Sequence, residues 1–283
     1  MLPRLFYKNY WDLRKIIEDF NPYTMEQLTI IKVGGKLLEN QENIEKLAQY
    51  VSRLDGPRLV VHGGGAKVSE VTQRMGFEPK MVDGRRVTDA AALDIATMVY
   101  AGLYNKRIVS LFQKHHVLTL GMSGADLNVI RARKRRVESI DYGYVGDIES
   151  VNTYALKKIL KLRVTPVFCA ITHDNQGQLL NTNADSIATQ LARALVQDFD
   201  IRLIFGMDKA GVLRDPDDES TLIPSLNYSE YKLLKMEEVI TLGMIPKLDN
   251  AFYALINGVK EVWVTGLDEL TSNDQLTGTR IFE

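Results

Sequence analysis

The chain has 283 residues, of which 45% are hydrophobic and 25% charged, enough to bury one large α/β domain or two smaller lobes. A formal net charge of −1 excludes a bulk electrostatic pull toward nucleic acid or an anionic membrane. The single cysteine, Cys169, excludes a disulfide within the chain and fits a reducing compartment.

The first twenty residues, MLPRLFYKNYWDLRKIIEDF, carry acids and bases throughout and no hydrophobic signal core, so they are expected to stay in a cytoplasmic protein. Phe6, Tyr10, Leu13, Ile17 and Phe20 recur at spacings of 4, 3, 4 and 3, a narrow apolar stripe. This predicts a helix over about 1–25, packed on its own domain or paired with the same helix of another subunit. The seam-like width favours pairing.

Beyond it, short β-like runs alternate with helix-period stretches. Strands are predicted at 29–35 (TIIKVGG) and 58–62 (RLVVH), with a helix between them from Gln41 to Leu54. A helix from Ala66 closes at Gly76, and Asp83-Gly84 signals a hairpin turn. A long helical stretch follows from Asp89 to His116, with Gly102 as the place for a break, and then a strand at 117–122. The alternation from Val129 to Val151 predicts hairpins at a sheet edge. Within it, RARKRR (131–136) reads as a solvated or ligand-facing hairpin, because it lacks the interleaved aromatics of a nucleic-acid patch. A helix at 152–162, a strand at 165–171, a helix from Asn183, a strand at 201–207, a helix at 244–258 and a strand at 261–266 complete the pattern. Strands separated by helices imply a mostly parallel sheet covered on both faces, a three-layer αβα sandwich.

Two glycine turns carry the chemistry. Lys32 ends one strand just before Gly34 and Gly35, and Gly63, Gly64 and Gly65 end the next and open a helix. Strand ends of a parallel sheet line the ligand crevice, and a helix N-terminus adds partial positive charge. Adjacent turns of this kind form a cradle of N–H groups for a phosphate or carboxylate. The Walker A pattern, G-x-G-x-x-G, the protein-kinase motifs and G-x-S-x-G are all absent. His62, His115, His116 and His173 lack metal-ligand spacing, so no metal site is expected.

In order, IIKVGGK (30–36), VVHGGGAK (60–67), GRRVTD (84–89), GMSGAD (121–126), DYGYVGD (141–147), NTNADSIATQLA (181–192), GMDKAGVL (206–213), GMIPKLDNA (243–251) and GTRI (278–281) resemble the amino acid kinase family. Within it they are most similar to the branch that phosphorylates N-acylated glutamate. The resemblance runs from about residue 29 to the end, and GRRVTD and N-x-N-A-D are its discriminating pieces. It implies transfer of the γ-phosphoryl of MgATP to the side-chain carboxylate of N-acetyl-L-glutamate, on the way to arginine. An N-succinylated acceptor, another amino acid kinase or a non-catalytic sensor of amino acid or nucleotide stands as the alternative. The last is opposed by the joint presence of Lys32, Lys247 and Asp185.

The resemblance implies the following roles. Lys32 and Lys247 stabilise the transferring phosphoryl from opposite sides, and Asp185 orients both. Gly34 and Gly35 bind phosphoryl oxygens, and Gly64 and Gly65 the acceptor end. Arg86 grips the substrate α-carboxylate, Asn181 binds the acceptor, and Asn183 supports that turn. Asp208, Lys209, Gly211, Val212, Leu213, Val239, Ile240 and Thr241 contact ATP. An acyl amino acid lobe over 26–195 and an ATP lobe over 196–283 are implied, as is a homodimer assembled into a hexamer through the N-terminal helix. The stretch after Gly266 is short where arginine-inhibited members carry an extra helix, so feedback by arginine stays open. The chemistry needs no general base, since a carboxylate with a pKa of about 4 is already ionised at neutral pH. It needs positioning and cations.

Overall fold

The computed structural model describes residues 25–82, 85–137, 139–240, 243–271 and 276–283. The predicted N-terminal helix, the Asp83-Gly84 turn and Thr241 lie outside these residues. Strand β1 (Gln27–Val33) is buried along nearly its whole length, as expected of a central parallel strand covered on both faces. It pairs in parallel with β2 (Arg58–His62) on one side and with β11 (Asp200–Met207) on the other. On the β2 side the sheet continues in parallel through β8 (Thr165–Cys169) to β5 (Thr119–Met122). On the β11 side lies parallel β13 (Glu261–Gly266), then antiparallel β14 (Thr279–Ile281), with β12 (Ser225–Leu226) parallel to β14 at the rim. The expected mixed α/β architecture with a large, mostly parallel sheet is therefore observed. Because β1 and β11 pair, one sheet runs through the 195/196 border without a break.

Several helices open where side-chain oxygens satisfy their first amides. Asn40 caps α1 (Gln41–Arg53), Asp89 caps α3 (Ala90–Thr97), Asn152 caps α5 (Thr153–Lys161) and Asn183 caps α6 (Ala184–Leu195). Helix α2 (Gly65–Arg74) instead begins at Gly64, whose φ of 146° no ordinary side chain accepts readily. The long stretch expected to break near Gly102 does change character there. A π-helical turn, Met98–Tyr104, joins α3 to α4 (Asn105–Lys114) without interrupting the rod.

The hairpin region departs from expectation. β6 (Ile130–Lys134) and β7 (Gly146–Val151) pair antiparallel, but they leave the main sheet and build a second one with β9 (Ile171–His173) and β10 (Leu179–Asn181). The physical reason is at Ala170: the predicted 165–171 strand ends its main-sheet pairing at Cys169 and resumes in the other sheet at Ile171. The basic residues Arg131, Arg133 and Lys134 of β6 are exposed, as a solvated hairpin requires. Tiny β3 (Met81–Val82) and β4 (Arg85–Arg86) pair antiparallel as the turn signal implied.

The sequence reading also passed over α7 (Tyr228–Met236), which opens with a reciprocal capping box between Asn227 and Glu230. Buried Tyr231 donates a 2.7 Å hydrogen bond to Asp249 in α8 (Ile245–Ile256), tying α7 to the helix that carries Lys247. A short α9 (Leu267–Thr271) follows β13.

Candidate active site

Three elements converge where β1 and β2 end. Lys32 lies near the carboxyl end of β1, Asp185 in the first turn of α6 and Lys247 in the first turn of α8. Asp185 Oδ1 sits 2.8 Å from Lys32 Nζ and 3.6 Å from Lys247 Nζ. All three side chains are nearly sealed from solvent, with relative exposures of 10%, 13% and 11% for Lys32, Asp185 and Lys247. The Lys247 ammonium also lies 5.7 Å from the centre of the Phe205 ring on β11, within cation–π range. Sequence reading expected these three residues to meet, and they do.

The electrostatics follow from burial and charge. Burial alone would raise the Asp185 pKa, but the two ammonium groups override it and hold the carboxyl below its usual range. Lys247 is pushed down to about 8, first by burial and then by the Lys32 charge, with Asp185 opposing both. The group thus carries a surplus cation, held in a poorly solvated place, for which an incoming anion would be the missing partner.

The two glycine turns touch each other. A β-carbon on Gly35 would fall 2.9 Å from Gly64 Cα, and one on Gly64 would fall 2.5 Å from Tyr104 Cδ2. Neither position has room for a side chain. The first turn is anchored by the Gly34 N–H, which donates to the Gly206 carbonyl at 3.2 Å. Lys36 continues in the same direction, its ammonium 3.6 Å from Asp208 in an exposed ion pair. Such a pair adds little to stability.

Arg86 leans on the second turn. Its Nη2 donates to the Gly65 carbonyl at 2.8 Å and to Ser69 Oγ at 2.7 Å, fixing one edge of the guanidinium against the start of α2. Asn181 joins three of the quoted motifs: its Nδ2 donates to Thr88 Oγ1 at 3.0 Å, and its N–H donates to the Tyr144 carbonyl at 2.9 Å. Asn183 spends its side-chain oxygen on the Ser186 N–H at 3.0 Å, the cap that starts the helix carrying Asp185.

The remaining sequence-predicted residues lie elsewhere in the second half of the chain. Val212, Leu213 and Ile240 bury their side chains in the core. The Val212 N–H donates to Thr279 Oγ1 at 2.8 Å, and its carbonyl accepts from the Ile223 N–H at 2.9 Å. Gly211 is pressed against Thr279, where a β-carbon would lie 3.0 Å from the amide nitrogen. Val239 is half-buried against the core, whereas Asp208 is exposed and Lys209 half-exposed. Among the described residues no ion pair joins these residues to the Lys32–Asp185–Lys247 group; Asp208 pairs with Lys36 instead. Sequence reading did not single out Tyr100, Tyr104 or Asn105, whose place beside the glycine turn depends on contacts distant in sequence.

The chain is similar to known proteins of one family. The amino acid kinase family matches residues 27–266, most of the chain. The chain belongs to the amino acid kinase family. It is 45% identical over 256 residues to a Bacteroides fragilis protein named acetylglutamate kinase, covering 90% of this chain and 97% of that one. Among solved structures, a Streptococcus mutans UA159 protein matches with a TM-score of 0.73 at 25% identity, covering 90% of this chain and 98% of that one. The Neisseria gonorrhoeae N-acetylglutamate synthase, solved with coenzyme A and N-acetyl-glutamate, matches with a TM-score of 0.77 at 23% identity, over 90% of this chain and 59% of that one. That likeness is one of fold. Kinases of this family use ATP.

A depressed Lys247 pKa has a kinetic signature. If the charged ammonium is what serves the reaction, kcat/KM should fall as pH rises through about 8, where free-enzyme Lys247 loses its proton. Bound polyphosphate favours the charged form, so the limb in kcat should lie at higher pH. Lys247→Arg, which stays protonated, should remove the limb from whatever activity it retains. A wild-type kcat/KM profile that stays flat to pH 10 would refute the assignment.

Proposed function

We propose that the protein transfers the γ-phosphoryl of MgATP to the side-chain carboxylate of N-acetyl-L-glutamate, giving an acyl phosphate in arginine biosynthesis. The observation that carries this reading is the Lys32–Asp185–Lys247 group at the mouth of two glycine turns. A family relative named acetylglutamate kinase, 45% identical across nearly the whole of both chains, supports the choice of acceptor.

The residues suit the chemistry. Acceptor and donor are both anions, so the barrier is repulsion and the build-up of charge on the oxygens around the moving phosphorus. Lys32 meets this charge from the end of β1, in the acceptor half, and Lys247 from α8, in the ATP half. Asp185 holds both ammonium groups in place against their mutual repulsion, aims them, and takes no proton. Gly35 donates its N–H to the phosphoryl. Gly34, expected to do the same, has its N–H taken by the Gly206 carbonyl and instead fixes the turn, while Gly64 and Gly65 donate to the attacking carboxylate. Arg86 holds the acceptor α-carboxylate with the donors that Ser69 and Gly65 leave free, and Asn181 bonds the acylated end. In this reading 26–195 binds the acceptor, and Asp208–Leu213 with 239–241 binds the nucleotide. Mg2+ arrives with ATP and shields its phosphates. The proposed location is the cytoplasm. No helix among the described residues is long and apolar enough to cross a membrane.

The direct test is ATP-dependent acyl-phosphate formation, trapped with hydroxylamine, across N-acetyl-, N-succinyl- and free glutamate and aspartate. N-acetyl-L-glutamate should react fastest. A faster rate with the N-succinyl compound would move the acyl assignment, and preference for a free amino acid, or no turnover at all, would overturn the reading. Arg86→Lys, which loses the planar fork, should raise the acceptor KM by about tenfold or more while leaving the ATP KM little changed. Equal damage to both constants would show the arginine misassigned.

For assembly, we propose a homodimer built into a hexamer through residues 1–25. Deleting residues 1–24 should lower the sedimenting mass and leave phosphoryl transfer intact. An unchanged mass would sink the idea.

A further inference from the structure

The reading of Gly63–Gly65 as the acceptor-side cradle raises a further question, on which the following inference rests. N–H groups stabilise a forming charge only if they are aimed before it arrives. Glycine, free at φ and ψ, does not aim itself. Something outside the turn must hold it.

Directly beneath the turn lies His62, the last residue of β2, fully buried at 0% exposure. Its Nδ1 is 3.0 Å from the Gly63 carbonyl oxygen. A carbonyl only accepts, so Nδ1 carries the proton. Its Nε2 then holds a lone pair, and Asn105 Nδ2 stands 3.2 Å away. The same amide nitrogen is 2.8 Å from the Val167 carbonyl on β8, and Asn105 Oδ1 accepts from Lys106 Nζ at 3.2 Å. With two acceptors on the nitrogen and a cation on the oxygen, the amide has a single consistent orientation. Every donor in the chain of contacts then faces an acceptor: His62 Nδ1–H to Gly63, and Asn105 to His62 and Val167. Burial pushes the His62 pKa down to about 4, so the ring stays neutral over the working range. The Cys169 thiol opposite it in the β2–β8 register is also neutral, its pKa raised to about 12 by burial.

The consequence is geometric. A trans peptide sets its C=O and N–H on opposite edges of one plane. Pulling the Gly63 oxygen down toward the buried ring turns the Gly64 N–H the other way, out of the core. The Gly64 nitrogen accordingly lies beside the first glycine turn, 3.1 Å from where a β-carbon on Gly35 would be. The π-helical turn Met98–Tyr104 supplies the other wall. It brings the Tyr104 and Tyr100 rings against Gly64 and delivers Asn105, the next residue, to His62.

We propose that His62 and Asn105 form a positioning pair that aims the Gly64 N–H at the acceptor and the moving phosphoryl by holding the Gly63 carbonyl from below. The pair touches no substrate. Its work is the direction of one backbone donor, fixed by the choice of imidazole tautomer.

Two measurements test this on the full-length protein. The first is independent of activity. Long-range 1H–15N spectra of the histidine rings from pH 5 to 9, with His62 assigned by difference from His62→Gln, should show a neutral Nδ1–H ring that does not titrate. An Nε2–H tautomer, or titration in the ordinary histidine range, would overturn the pair. The second is kinetic. His62→Asn leaves a donor near the Nδ1 position, whereas His62→Gln places its amide near Nε2 and leaves the Gly63 carbonyl unmatched. His62→Gln should lower kcat by on the order of tenfold to a hundredfold and raise the acceptor KM, with the ATP KM little changed. His62→Asn should recover most of that loss. Equal losses in both variants that track a lowered Tm, or wild-type rates in both, would also overturn the proposal. Should wild type phosphorylate no acceptor, the functional reading fails while the ring spectra still decide the geometry.

Discussion

One buried carboxylate between two buried ammonium groups is the constraint around which the rest of the molecule is arranged. Asp185 Oδ1 is within ion-pair distance of both Lys32 and Lys247. Two cations so close and so poorly hydrated repel each other strongly, and one acid only partly offsets this. The depressed Lys247 pKa expresses the imbalance. A site in that condition is incomplete without another anion. In the proposed reaction the transferring phosphoryl supplies it, and supplies most charge when its oxygens are most loaded.

Holding the three groups together requires three different elements, which explains several features of the fold. β1 is central and buried, so Lys32 has a rigid base. α6 starts at a side-chain cap from Asn183, which sets where Asp185 falls relative to the sheet. α8 is braced by the Tyr231–Asp249 hydrogen bond from α7. The second sheet, leaving the first at Ala170, brings Asn181 beside Thr88 and thereby draws the GRRVTD and NTNAD segments into one wall. Each brace is weak in energy and specific in direction.

The parallel strands β1, β2, β5, β8, β11 and β13 and the long helices were legible because their residues carry strong periodicity or apolar runs rich in β-branched residues, as in IIKV and LVVH. By contrast β12 and β14, two and three residues long, carry too short a pattern and were not predicted. The meeting of Lys32, Asp185 and Lys247 was legible only through motif resemblance, since no local pattern relates positions so far apart. Helix α7 was missed although Asn227 and Glu230 spell out a capping box, because its nine residues bury only Tyr231 and Leu234. The second sheet was misplaced for a different reason. Its strands alternate like any edge hairpin, and the departure at Ala170 is a matter of tertiary pairing. His62 reads locally as one more residue of a buried strand, and its role depends on Asn105 and Val167, which sequence separates from it.

The π-helical turn between α3 and α4 has a consequence for the phase of the two helices. An α-helix advances each residue by about 100°, so one residue accommodated in a widened turn rotates everything after it by about that amount relative to a regular rod. Ala90–Thr97 and Asn105–Lys114 are thus two faces out of step on a continuous axis. The widening lets one helix lay Leu93 and Ala96 into the core before it and Ile108 and Phe112 into the core after it. Excising a single residue there would restore ideal winding and turn the Asn105 amide away from the imidazole, exchanging local regularity for the loss of a distant alignment.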